Sequence, residues 1–255
     1  MVYLMYHELE LPGHALCQNQ PGYVRYVLRK DEFQHQLALL SKHGFQGLNV
    51  SQDRNGDHPG SGIVITFDDG CETDLTVAAP LLLSRGFQAT FYLVVGFLGR
   101  RGYLSGAQAT ELAGMGFEIG SHSMTHAYLA GLTEKELETE VVESKDKLEQ
   151  TIGRRVEHFS CPGGRWSRDV ARVAQQAGYQ TVATSRIGTN SARSDPFCLS
   201  RVAVLRGLPP DDFVRISRGR GLALQRFSQS VRSTAQRVLG DSRYDRLRGA
   251  WLHRS

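Results

Sequence analysis

Two carboxylates stand side by side in Ile65-Thr66-Phe67-Asp68-Asp69-Gly70, at the point where an apolar run stops. Like charges at that spacing each raise the cost of ionising the other, so the pair needs a counter-charge or divided roles. One division is chemically useful: one carboxylate binds a cation, whose charge offsets the repulsion, and the other is left as a base. The plainer reading is a helix cap, with Asp69 closing the first turn after Gly70. A second constellation, Ser121-His122-Ser123-Met124-Thr125-His126, holds two histidines at i, i+4. On one helical turn that spacing brings both imidazoles to one side, as in two-histidine zinc sites. The chain has nine histidines, of which His35, His43, His58 and His253 sit in contexts that read as solvated surface. Two imidazoles and one carboxylate around an open coordination position make a hydrolytic metal site.

Such groups act together only if a frame aims them at one place. Short β-rich runs at 2–7, 63–67, 89–95, 117–122, 158–162, 181–185 and 199–205 alternate with helical patterns, which predicts βα units around a largely parallel sheet. The clearest helix begins with the capping box Thr133 to Glu136, flanked by Leu132 and Leu137 at staple spacing, and buries Leu137, Val141, Leu148 and Ile152. Another runs from Asp31 to Gly44 with Phe33, Leu37 and Leu40 inward, and two more cover roughly 73–85 and 167–177. Seven strands with intervening helices suggest an α/β protein with a closed or nearly closed barrel, although an open doubly wound sheet gives much the same alternation. In either, reactive residues belong at the C-terminal ends of strands. His7, Asp68, Asp69, His122 and the Cys161-Pro162-Gly163-Gly164 stretch all follow a predicted strand directly.

A chain of 255 residues with 40% hydrophobic content is long enough for one large, well-buried domain. Its longest apolar runs are strand-length, well below the ~20 residues of a membrane span. Residues 1–10 lack a basic region followed by a long apolar one, so no secretory signal and a cytoplasmic location are expected. Cys17, Cys71, Cys161 and Cys198 show no CxxC spacing, which argues against a thiolate zinc site or a disulfide framework and predicts bland buried or semi-exposed thiols.

Asp68 and Asp69 in Thr66–Gly70, together with His122–His126, resemble the first two motifs of the polysaccharide deacetylases, the NodB-homology or carbohydrate esterase family 4 proteins, in order and separation. The resemblance spans about residues 2–210. It implies a distorted (β/α) barrel that hydrolyses acetyl groups with a divalent metal. Asp69, His122 and His126 then match the metal ligands and Asp68 the catalytic base that takes a proton from water. The ligand set is compatible with Zn foremost, and with Co, Ni, Mn or Fe. The family's third motif usually reads Arg-Pro-Pro-aromatic-Gly. Here Ser160 stands at the Arg position, and Gly163 stands where a backbone N–H completes the oxyanion hole, without the aromatic wall. Arg165, Arg186 or Arg201 can replace the missing charge, and Arg201 is preferred, grouped with Trp166 among the residues facing substrate. Trp166 reads either as a sugar-stacking surface or as a partly buried core aromatic. No late histidine lies between Leu199 and Pro210. The opening Met5-Tyr6-His7-Glu8 resembles the circularly permuted exopolysaccharide deacetylase branch, in which an early histidine protonates the leaving amine. That implies His7 as general acid, with a structural histidine as the alternative, and His7 is preferred over Glu8 for a part in the reaction.

From Arg215 onward there are ten arginines and no lysine against Asp241 and Asp245, so the rest of the chain is net acidic. Apolar residues at Phe227, Val231, Ala235, Val238, Tyr244, Leu247 and Trp251 predict an amphipathic helix broken near Gly240. It either lies on an anionic membrane or packs on the barrel, and no nucleic-acid motif accompanies it. The organisation expected is a catalytic domain over 1–214 and a basic tail over 215–255. The expected substrate is an acetylated amino-sugar glycan or its lipid-linked precursor at the inner face of the membrane. Two other readings stay open: a hydrolase of small cyclic or linear amides, and a non-catalytic carbohydrate-binding relative.

Overall fold

The alternation of side chains along β5 (Gly62–Phe67) decides the layering of the molecule. Ile63, Ile65 and Phe67 join a large apolar layer beneath the helices, whereas Val64 packs with Tyr3, Leu48, Val50 and Leu199 in a small separate cluster. The clusters are the outside and the inside of a curled parallel sheet. The computed structural model describes residues 1–56 and 61–223.

Around β5 the sheet contains β1 (Tyr3–Tyr6), β4 (Gln46–Leu48), β6 (Thr90–Leu93), β7 (Glu118–Ser121), β8 (His158–Ser160), β9 (Thr181–Ala183) and β10 (Val202–Ala203). Its order is β10-β1-β5-β6-β7-β8-β9, with β4 also paired to β5, and every pairing is parallel. The edges nearly meet, because Ala183 bridges in parallel to Leu199, just ahead of β10. This is the distorted barrel expected, with β4 as an additional strand. Its three residues are too short for a readable period, and Gly47 is needed there: a Cβ would lie 2.7 Å from Phe87 Cγ. A separate parallel ribbon joins β2 (Leu9–Glu10) to β3 (Leu28–Arg29).

The helices are α1 (Pro21–Val24), α2 (Lys30–Lys42), α3 (Val50–Asn55), α4 (Ala79–Leu83), α5 (Gly106–Gly114), α6 (Glu134–Leu137), α7 (Ser144–Ile152), α8 (Arg168–Gln176) and α9 (Pro210–Ser217). The Thr133 to Glu136 capping box forms as expected. The helix it starts is not continuous, however: a π-type segment, Glu138–Glu143, separates α6 from α7. The boundary expected at 214/215 falls inside α9, whose Phe213 and Ile216 are buried, so the packed domain continues past it. The amphipathic helix expected over 224–255 lies outside the described residues. Among the described residues no helix is long and apolar enough to cross a membrane.

Inside the barrel the lower end is polar. Glu118 accepts N–H groups from Val50 and Ser51 and the Thr90 hydroxyl, while His158 Nε2 lies 2.8 Å from Ser51 Oγ. Buried acceptors of this kind are tolerated because their partners are supplied on the spot. The barrel is also tight. At Gly120, in the strand that leads to His122, a Cβ would lie 2.4 Å from Tyr92 Cδ1 and 2.9 Å from the His158 carbonyl oxygen. Gly120→Ala is therefore expected to lower stability by about 1–3 kcal/mol through overpacking, read as a reduced urea midpoint.

Candidate active site

The site sits where β1, β5, β7 and β8 run out. Side chains facing the interior alternate along each strand, so Tyr3 and Met5 lead to His7, Val64 and Thr66 lead to Asp68, and Gly120 leads to His122. Asp69 then leaves the alternation with φ +80°, turning its carboxylate toward the same mouth. Ser123 and His126 have φ +71° and +67°, and these three are the non-glycine residues with positive φ among those described. Such conformations cost of order 1–3 kcal/mol each and persist only where the surroundings impose them.

The histidine pair is not helical, contrary to the i, i+4 expectation. Residues 122–126 form an irregular turn held by Glu140, whose carboxylate accepts the Met124 and Thr125 N–H groups, and by Ser123 Oγ, which accepts the His126 N–H at 3.0 Å. The imidazoles converge all the same, with ring centroids 5.1 Å apart. Nε2 of His122 and of His126 lie 3.6 Å and 3.3 Å from Asp69 Oδ1. That oxygen is buried without a hydrogen-bond partner, so Asp69 Oδ1 is not a helix cap. One ligand atom from each of Asp69, His122 and His126 falls within 4.8 Å of the others. Donors held about 2.1 Å from a shared tetrahedral cation lie about 3.4 Å apart, so this spacing fits a metal. His122 Nδ1 lies 2.8 Å from the Ser160 carbonyl oxygen, which fixes the ring with Nε2 toward the centre.

Asp68 faces the other way in charge terms. Arg201, 1% exposed, grips it through two hydrogen bonds of 2.7 Å, one to each carboxylate oxygen. The guanidinium also bonds the Thr184 carbonyl and the hydroxyls of Thr66 and Ser160. Arg201 thus comes within 2.8 Å of Ser160 Oγ, and the small Ser160 leaves room for it. Being buried, it does not reach substrate. Of the other two arginines weighed, Arg165 stacks on Tyr128 and Arg186 on Trp166.

These contacts set the protonation states. Burial pushes the Asp68 carboxyl up, but the Arg201 charge outweighs it and holds the group below the usual carboxylate range. Burial likewise raises Asp69, and His126 outweighs it, so Asp69 also stays ionised. Burial lowers His122 to about 4, keeping the imidazole neutral and its lone pair available. His7 packs its ring 4.8 Å from Tyr26 and leaves a buried Nδ1 without a hydrogen-bond partner. Burial lowers its pKa, while Asp69 and Asp68 pull in the opposite direction.

Gly163 adopts φ +60° in the 3-10 turn Pro162–Gly164 after β8. A Cβ on Gly163 would lie 2.8 Å from Tyr128 Cε1, so this aromatic ring is packed against the place where the third motif lacks one. Tyr128 is 44% exposed, with the Arg165 guanidinium 4.0 Å from its ring centroid. Trp166 is partly buried, ties its indole N–H to the Phe197 carbonyl at 2.6 Å and carries Arg186 on its ring, which matches the core alternative. Tyr128 and Glu140 escaped the sequence reading. Glu140 had a signal, since an acid three residues after Leu137 interrupts the buried stripe.

The chain is similar to known proteins over most of its length. The family described as polysaccharide deacetylase matches residues 55–182. The Bacillus subtilis protein YxkH, a polysaccharide deacetylase by name, is 29% identical over 217 residues, covering 82% of this chain and 73% of that protein. The peptidoglycan-N-acetylglucosamine deacetylase of Bacillus cereus is 33% identical over 47% of this chain and 54% of its own length. Among solved structures, the Streptococcus pyogenes deacetylase PplD has the same fold, with a TM-score of 0.74 at 22% identity over 84% of this chain and 96% of that one.

The Asp68 and Arg201 contact gives a stability test. Arg201→Met leaves a buried carboxylate unpaired and should cost about 3–5 kcal/mol, whereas Arg201→Met with Asp68→Asn should recover much of that loss in urea unfolding.

Proposed function

The chain belongs to the polysaccharide deacetylase family, and we propose that it is a metal-dependent hydrolase that removes acetyl groups from the amino sugars of a glycan. The observation carrying this reading is the convergence of Asp69, His122 and His126 beside an Asp68 that is held ionised by Arg201. Asp69, His122 and His126 would hold the cation. A divalent cation there supplies Lewis acidity, making water nucleophilic near neutral pH and polarising a carbonyl.

The chain's own groups do the rest. Asp68 Oδ2 lies 3.9 Å from His122 Nε2, so its carboxylate borders the triad and is the base for the attacking water. Both its oxygens are engaged by Arg201, which fixes their direction without occupying every lone pair. The Gly163 backbone N–H is the donor for the developing oxyanion. His7, with an unpartnered Nδ1, is the group that takes up a proton and passes it to the leaving amine. Tyr128 offers a half-open aromatic face beside Gly163 and is the sugar-stacking surface. The arginine-rich sequence from Arg215 onward supports a precursor held at an anionic membrane surface as the form of substrate.

The reading is tested by acetate release from acetylated amino-sugar oligomers by the metal-loaded protein. Asp68→Asn should reduce kcat by about 10²–10⁴-fold, with the metal content by elemental analysis unchanged. Undiminished release by that variant, or release only from cyclic imides, refutes it. Tyr128→Ala should raise KM roughly 3–10-fold with kcat little changed.

A further inference from the structure

Outside this site, Glu8, Cys17 and Cys71 bring one ligand atom each within 4.8 Å of one another. They come from three separate segments: the end of β1, the stretch between β2 and α1, and the turn after Asp69 and Gly70. The Sγ atoms of Cys17 and Cys71 are 3.6 Å apart, and both cysteines are free. A disulfide would require about 2.05 Å. Two thiolates on one tetrahedral zinc, each about 2.3 Å from it, lie about 3.8 Å apart. The expectation of free, buried or semi-exposed thiols holds for this pair, and the fold closes between them a distance that the missing CxxC spacing does not show.

The surroundings are built for the cluster. Glu8, 4% exposed, accepts the Cys17 N–H on both carboxylate oxygens at 3.1 Å and the Tyr23 hydroxyl at 3.0 Å. The same hydroxyl lies 3.5 Å from Cys71 Sγ, so Tyr23 holds carboxylate and thiol together. Gly102 leaves space for the other thiol, since a Cβ there would lie 2.9 Å from Cys17 Sγ. Asp74, three residues after Cys71, is fully buried, and neither of its carboxylate oxygens has a hydrogen-bond partner. No basic side chain is bonded to these groups among the described residues, so a cation would meet no competing charge there. Cys17 is partly exposed, which gives an ion a way in.

We propose that Glu8, Cys17 and Cys71 form a second metal site, for a soft divalent cation of the zinc class, separate from the triad of Asp69, His122 and His126. Thiolates select such ions, and binding releases the two thiol protons to solvent. The site clips the segment carrying Cys17, and Glu8 next to His7, to the turn that carries Asp69.

The test is a cobalt(II) titration of the reduced, metal-stripped full chain. An intense thiolate-to-cobalt band in the near ultraviolet and a second equivalent of zinc by elemental analysis are expected. Cys17→Ser should lose both, and His122→Ala should keep the band while losing the other equivalent. On the unaltered protein, zinc should slow alkylation of Cys17 on the order of tenfold. Absence of the band in the reduced wild-type chain, or alkylation indifferent to zinc, overturns the proposal. So does a Cys17–Cys71 disulfide whose reduction yields thiols that take up no cobalt.

Discussion

The bidentate ion pair between Asp68 and Arg201 is what allows two adjacent carboxylates to be buried at one barrel mouth. Without it, Asp68 and Asp69 would repel each other in a region of low dielectric, and one would become protonated. Arg201 solves this from inside the barrel, at the entry to β10, where its stem fills space and its guanidinium meets Asp68, Thr66, Ser160 and the Thr184 carbonyl. The planar fork matters, because a lysine presents a point charge and cannot engage both oxygens in parallel. Asp68 is then committed to one charge partner, and Asp69 is left facing two imidazoles. The different surroundings of the neighbouring acids are thus a consequence of where one arginine lies.

The same economy governs the backbone. Asp69, Ser123 and His126 hold left-handed conformations, and each leads to or carries a group of the triad. Glu140 meets the cost around His126 by accepting N–H groups that the turn exposes. It can do so because the π-type segment Glu138–Glu143 interrupts the helix on that side. A wide turn in a helix, an acid on a buried stripe and a strained histidine are therefore one structural device in three pieces. Among the described residues the glycines with positive φ include helix ends such as Gly56 and Gly153, and positive φ in non-glycine residues is confined to the place where side chains must converge.

Much of this was readable from residue type and spacing. The strands around β5, the Thr133 capping box and the convergence of Asp68, Asp69 and His122 on strand ends follow from alternation and from the rule that loops at one barrel face meet. What was not readable shares one cause: it depends on contacts between residues far apart in the chain. The helical pairing expected of His122 and His126 fails because long-range bonds from Glu140 override the local period. Strand β4 is too short to show alternation. The boundary expected at Arg215 followed the change in charge, whereas the packing follows Phe213 and Ile216.

The altered third motif shows why residue-by-residue transfer from a family needs the packing beside it. Ser160 and Gly163 look like losses, a missing charge and a missing aromatic. In the folded chain a buried charge and an aromatic ring reappear from other positions: Arg201 enters beside the small Ser160, and Tyr128 lies against the bare Gly163. Each replacement needs the small residue, because a side chain at 163 would collide with the Tyr128 ring and a long one at 160 would compete for the space of the Arg201 guanidinium. The sites are therefore coupled pairs, Ser160 with Arg201 and Gly163 with Tyr128. Restoring the family residue at one member alone would crowd the site without supplying anything it lacks.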